Sequence, residues 1–203
     1  MSDVITKDQV INKNAYLSQA DRYVNARYIM QYFKAKGWTL NAVAGMVGNM
    51  DAESHVNPGI WEKLTVNTSR GFGLVQWTPA TKLINWCEAN GLDYTDIDSQ
   101  LARIVYELEN GLQFYKTDTY PITFKQFSTS TQSPEYLAGA FLYNYEQPAV
   151  YNTEERQERA RLYYDYLAPY WDASGNDTPV EPGSPRLGRK MSMLLMYMAT
   201  KRK

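Results

Sequence analysis

Residues 40–54 read LNAVAGMVGNMDAES, and the pattern of that stretch decides the fold. Leu40, Val43, Ala44, Val47 and Met50 recur at three- and four-residue spacing, the mark of one apolar helical stripe. Asn41, Gly45, Gly48 and Ala52 repeat at similar spacing on another face and are all small. A helix apolar on one side and small on another is buried nearly all round. Thr39 is placed to cap it, and it ends at Glu53-Ser54, before the breaker Asn57-Pro58-Gly59.

Outward from this helix, the pattern stays mostly helical. Ser18 is placed to cap a helix reaching about Lys36, with Ala20, Tyr23, Met30 and Phe33 inward and Gly37 as the stop. Residues 60–76 lack helical periodicity and contain Thr, Val, Gly and Trp, which predicts a short hairpin. Thr78-Pro79 reads as a helix start and Asn90-Gly91 as its end. Further helices are expected near 98–115, 134–146 and 153–168, the last capped by Thr153 with Glu154 and Glu155 in its first turn. The expected fold class is α+β, predominantly α, with a small β insert. Residues 172–185, DASGNDTPVEPGSP, have linker composition. The expectation is therefore a body over 1–171, a linker over 172–185 and a basic, methionine-rich tail over 186–203.

Composition removes several classes of function. Six of the 21 basic residues lie in 186–203, where no acidic residue occurs, leaving 15 basic against 22 acidic in the rest. An acidic body is a poor ligand for phosphate backbones, so no nucleic-acid partner is expected. One histidine, His55, and one cysteine, Cys87, exclude a disulfide and a zinc site built on those side chains, and no metal or cofactor is expected. Cys87 lies toward the C-terminal half of its helix, where the dipole does not favour a thiolate, which argues against a cysteine peptidase with His55. The start, MSDVITKDQ, lacks the pattern of a signal peptide, and Met193–Ala199 is too short an apolar run to span a bilayer. The cationic tail suits an anionic membrane surface or a partner groove, with a linker remnant as the plainer alternative.

Glu53 is the candidate catalytic residue. It lies in the last turn of the central helix, on the flank of the apolar stripe. Burial and the negative end of the helix dipole both favour the protonated acid, the form that donates a proton to a leaving oxygen.

Three segments add to this. They are Glu53-Ser54 followed by Asn57-Pro58, then Gly71-Phe72-Gly73-Leu74-Val75-Gln76-Trp77, then Ala140-Phe141-Leu142-Tyr143-Asn144. In this order they resemble the lytic transglycosylase and goose-type lysozyme superfamily, and the string GNMDAESHVNPGIWE…GFGLVQWTP is most similar to the lysozyme-like domain of phage tail-tip proteins. The resemblance covers roughly residues 20–168. It implies a lysozyme-like fold with the β insert beside the cleft, and a virion enzyme that cuts the β-1,4 bond between N-acetylmuramic acid and N-acetylglucosamine in peptidoglycan. Its partners would be peptidoglycan and other phage tail proteins.

The resemblance also implies roles. Glu53 becomes the general acid, with Ser54 supporting it or the sugar. Gly73, Leu74, Val75 and Gln76 line the groove, Trp77 and Trp61 are placed to stack on sugars, and Tyr143 and Asn144 close the opposite wall. The third segment reads LYNYE, so Tyr145 and Glu146 are the neighbours that can stand in for them. Hydrolysing glycosidases generally use two carboxyls. Glu62, nine residues after Glu53 and followed by Thr65 and Thr68, is preferred as the second over Asp51, which points to another helix face. The spacing resembles the Glu–Asp–Thr set of T-even phage lysozymes. Hydrolysis, lytic transglycosylation and glycan binding without cleavage all remain open at this point, and so does a host wall-remodelling enzyme.

Overall fold

The computed structural model describes residues 4–148 and 150–173. Helix α1 spans Gln19–Ala35, α2 Leu40–Ser54, α3 Thr81–Ala89, α4 Ile97–Glu109, α5 Phe124–Ser128, α6 Pro134–Phe141 and α7 Thr153–Ala173. Both expected caps of the first two helices form: Ser18 Oγ accepts from Asp21 N, and Thr39 Oγ1 from Ala42 N. Helix α5 carries no long periodic pattern, and a capping box of Thr123 and Gln126 starts it. Helix α6 stops at Phe141 and the chain continues as one π turn, Leu142–Glu146, rather than as α-helix to 146.

Helix α2 is the axis of the molecule. It packs against α7, α6 and α1, and from Ala42 to Asp51 every residue is buried. The small face explains how three neighbours fit. A Cβ on Gly48 would lie 2.6 Å from the backbone nitrogen of Ala160 in α7, and one on Gly45 would lie 2.9 Å from that of Ala138 in α6. The apolar stripe meets the aromatic cluster of Phe33, Trp38, Phe127 and Phe141.

The expected β insert is not formed. Among the described residues the only strand-like pairing is two isolated bridges, Trp61 with Phe72 and Phe72 with Trp77. Lys63, Leu64, Gly73 and Gln76 all take positive φ, and a chain that turns left-handed so often cannot stay extended. The fold is therefore helical, with an irregular loop where the hairpin was expected. Helix α3 also begins later than Thr78-Pro79 predicts. Thr78 Oγ1 bonds Gln76 O, and Ala80 N–H reaches back to Arg70 O, so both belong to the loop.

The N-terminal segment straps across this loop. Buried Asn57 donates through Nδ2 to Lys13 O and Ala15 O, both at 2.7 Å. Buried Asn25 accepts from Ile11 N–H and donates to Ile11 O and Val56 O, each at 2.8 Å. At the other end, α7 takes in Asp172 and Ala173, the first two residues of the expected linker. The rest of 172–185 and the tail 186–203 lie outside the described residues.

Gly48→Ala is expected to force α2 and α7 apart and lower stability by about 1–3 kcal/mol, as overpacking does. Urea denaturation checks this, and an unchanged midpoint contradicts the close approach.

Candidate functional site

A cleft of about 570 Å³ opens at the C-terminal end of α2. Glu53, Glu62, Val75, Gln76, Trp77, Tyr145 and Glu146 line it, with Lys82 and Gln113 at its edges. Of the residues expected at the site, the structure thus brings together Glu53, Glu62, Val75, Gln76 and Trp77.

The others serve the walls. Ser54 is buried, its hydroxyl 2.8 Å from Leu74 O and 2.9 Å from Met50 O, so it ties the loop to α2. Gly73 has φ +80°, and a Cβ there would lie 2.6 Å from Gln100 Oε1. Leu74 is buried, and its N–H donates to that same oxygen at 2.9 Å. Gln100 donates in turn to Pro58 O and Tyr94 O. Gly73 and Leu74 are therefore where α4 grips the loop. Gln76, half-buried at φ +48°, donates to Ile60 O and Gly73 O. Trp61 is buried against Phe72 with 4.5 Å between ring centroids, which leaves no face for a sugar.

The third segment is displaced. Asn144 is buried and holds the 115–122 segment, donating to Tyr120 O at 2.8 Å and accepting from Thr117 Oγ1 at 2.8 Å. Tyr143 stacks on Tyr151 at 4.3 Å between centroids. Tyr145 and Glu146 take the cleft positions instead. The cause is the π turn, which holds five residues per hydrogen-bonded ring where an α-helix holds four and so changes which side chains face inward.

Two charged arrangements escaped the sequence reading. Arg156 of α7 donates through Nη2 to Glu53 Oε1 at 2.5 Å and through Nη1 to Asn49 O at 3.1 Å. The guanidinium thus sets a positive charge directly against the cleft carboxyl. Glu107 of α4 is buried behind the cleft and accepts from Trp77 Nε1 at 3.1 Å, from Arg103 Nε at 2.9 Å and from the Tyr145 hydroxyl. Burial pushes Glu107 up from the usual carboxylate range, while Tyr145, Arg103 and Trp77 pull it back. No local pattern announces either arrangement, since Arg156 meets Glu53, and Glu107 meets Trp77 and Tyr145, far along the chain.

Glu146 has no comparable support. Its Oε1 is buried and finds no hydrogen-bond partner among the described residues. Burial first, and then the charge of Glu53, drive it well above the usual carboxylate range. Glu62 sits half-buried on the rim and accepts from Gly71 N–H at 3.2 Å. Asp51 points away from the cleft, as expected, paired with Arg22 at 3.1 Å and with Arg159. Burial pushes the Cys87 thiol up to about 11, so a nucleophilic thiolate is not available at neutral pH. Among the described residues no cluster of His, Cys, Asp and Glu is arranged to hold a metal.

Comparison with known proteins follows the same geography. A family model described as phage tail lysozyme matches residues 24–167, a span that contains the whole cleft. Morphogenesis protein 1 of Bacillus phage B103 is 50% identical over 157 residues, which is 77% of this chain and 42% of that protein. The chain thus spans less than half the length of that relative.

Glu107→Ala is expected to cost about 3–5 kcal/mol, because it strands Arg103, Trp77 Nε1 and the Tyr145 hydroxyl. Urea unfolding followed by tryptophan fluorescence measures it, and a loss under 1 kcal/mol contradicts the network.

Proposed function

Because the chain belongs to the phage tail lysozyme family, we propose that it is a peptidoglycan-cleaving glycosidase of a phage tail. Its substrate in this reading is the β-1,4 bond between N-acetylmuramic acid and N-acetylglucosamine, and its place of action is the host wall. Peptidoglycan and other tail proteins are its partners. One observation carries the reading: Glu53 ends a buried helix and opens into a cleft that also holds Glu62, Gln76, Tyr145 and Glu146.

The glycan lies along that cleft with the scissile oxygen at Glu53. Glu53 supplies the proton, and the electron pair of the breaking C1–O bond goes to the leaving oxygen. The carboxyl groups around the cleft stabilise the positive charge on the ring. Water then adds at C1, or the sugar's own 6-hydroxyl closes an anhydro ring. Val75 to Trp77 form one wall, and Tyr145 and Glu146 belong to the other.

Binding without cleavage is the second reading. The Arg156 pairing favours it, because one oxygen of the Glu53 carboxyl is already engaged by a guanidinium.

Purified cell walls and mass spectrometry of the released fragments separate the two. Wild-type protein is expected to release muropeptides, and Glu53→Gln to digest about 10²–10⁴-fold more slowly while remaining folded. Digestion by Glu53→Gln within a few-fold of wild type rejects Glu53 as the acid. No digestion by wild type leaves the binding reading.

Glu62→Gln distinguishes the mechanisms. Hydrolysis with Glu62 as second carboxyl predicts reducing ends and a strong loss in the variant. Anhydro-muramyl ends with an indifferent variant mark a transglycosylase. Reducing ends with an indifferent variant remove Glu62 from the mechanism.

A further inference from the structure

The cleft holds a mismatch of charge that the proposed reaction needs resolved. Glu53 and Glu146 both line it, and Arg156 is the cation set beside them. The titratable and charged groups around Glu146 are Glu53 from α2, Glu107 from α4, Arg156 from α7 and the neighbouring Tyr145, with Glu62 and Lys82 also lining the cleft. Glu107 is already engaged by Arg103 at 2.9 Å. Arg156 commits Nη2 to Glu53 and Nη1 to Asn49 O. One guanidinium thus offsets one of two carboxylates, and a second negative charge there is strongly disfavoured. Two buried atoms are left over and complementary: the Nε–H donor of Arg156 and the Oε1 acceptor of Glu146, neither with a partner among the described residues.

We propose that Glu146 is the proton store of the cleft: Glu53 and Glu146 hold one proton between them, at rest on Glu146, and Arg156 exchanges partners when it moves to Glu53. The inference rests on the glycosidase reading for its role in turnover, and its first part stands without it. At rest Arg156 holds Glu53 as the carboxylate, and Glu146 is the neutral acid. When glycan fills the cleft, the proton passes from Glu146 to Glu53 through cleft water, and the guanidinium turns its free Nε–H to the new Glu146 carboxylate. Glu53 then donates that proton to the leaving oxygen as the C1–O bond breaks and its electron pair goes to oxygen. The water that adds at C1 returns a proton to Glu53, and from there to Glu146. Atoms and charge balance with water as the only co-reactant. Glu146 is a positioning residue in this scheme, since it acts through Glu53.

The test uses Glu146→Gln and Glu146→Asp in the full chain. The amide has the shape of the neutral acid but stores no proton, so a merely structural Glu146 tolerates it. Profiles of kcat/KM against pH on soluble peptidoglycan fragments report the free protein's essential groups. In Glu146→Gln the alkaline limb is expected about one pH unit or more lower, so that activity at pH 7 falls at least about ten-fold. Near pH 4–5 solvent supplies the proton directly, and the loss is expected to be clearly smaller than at pH 7. Glu146→Asp is expected to restore part of the alkaline limb. Carboxyl ¹³C NMR of glutamate-labelled protein, assigned by the signal that Glu146→Gln removes, is expected to show Glu146 titrating above the ordinary range. The proposal is overturned by an unmoved profile, by an equal loss at every pH, or by a Glu146 signal titrating near about 4.3. A wild type without digestion removes the glycosidase reading alone, and the NMR titration then decides where the proton rests.

Discussion

The close approach of α2 and α7 is the constraint on which the rest depends. It exists because Gly48 has no side chain where the backbone of Ala160 passes. One turn before Ala160 on α7 stands Arg156, and one turn after Gly48 on α2 the chain reaches Ala52 and Glu53. The same contact that buries the core therefore delivers a guanidinium to the cleft carboxyl at 2.5 Å. Packing and electrostatics are one event here. Asn49 reinforces it, donating to Gly45 O and Ala138 O at 3.0 Å while its own carbonyl accepts from Arg156. Three helices are joined at one residue of α2, beside the site.

Buried charge is handled by pairing throughout the described residues. Asp51 is held by Arg22 and Arg159, Glu107 by Arg103, and Glu53 by Arg156. Removing one partner from such a pair is costly, since it strands a charge away from water. Glu146 stands outside this scheme, with a buried oxygen that no donor among the described residues reaches. Proteins rarely leave such an atom without cause, and groups of this kind gather where function needs them.

Legibility in the sequence followed distance along the chain. The caps Ser18 and Thr39, the stripe of α2 and its small face are local patterns, and all were readable. So was Glu53 at the helix end, since termination and burial are set by its neighbours. Residues 60–77 were not. Their Thr, Val and Trp have strand propensity, but Gln100 and Ser54 seize the backbone from other elements and bend it. Propensity lost to tertiary contacts. The register of LYNYE turned on a π turn that helical periodicity does not encode. Arg156 and Glu107 went unread because their cleft partners lie 103 and 30 or more residues away.

The strap at the N-terminus bears on where the unit begins. Family similarity starts at residue 24, yet Asn57 and Asn25 satisfy their buried amides on the backbone of Lys13, Ala15 and Ile11. The similarity boundary and the physical boundary are thus different lines. A fragment begun at the first would strip these two buried carboxamides of their N-terminal partners, at about 1–3 kcal/mol for each group left unsatisfied. The opening residues act as the last piece of the loop's scaffold, contributed from the far end of the chain. In evolutionary terms Ile11, Lys13 and Ala15 are free to diverge, because what they lend is main chain, whereas Asn14 between them is not, since its side chain bonds Trp61 N–H and Leu64 O.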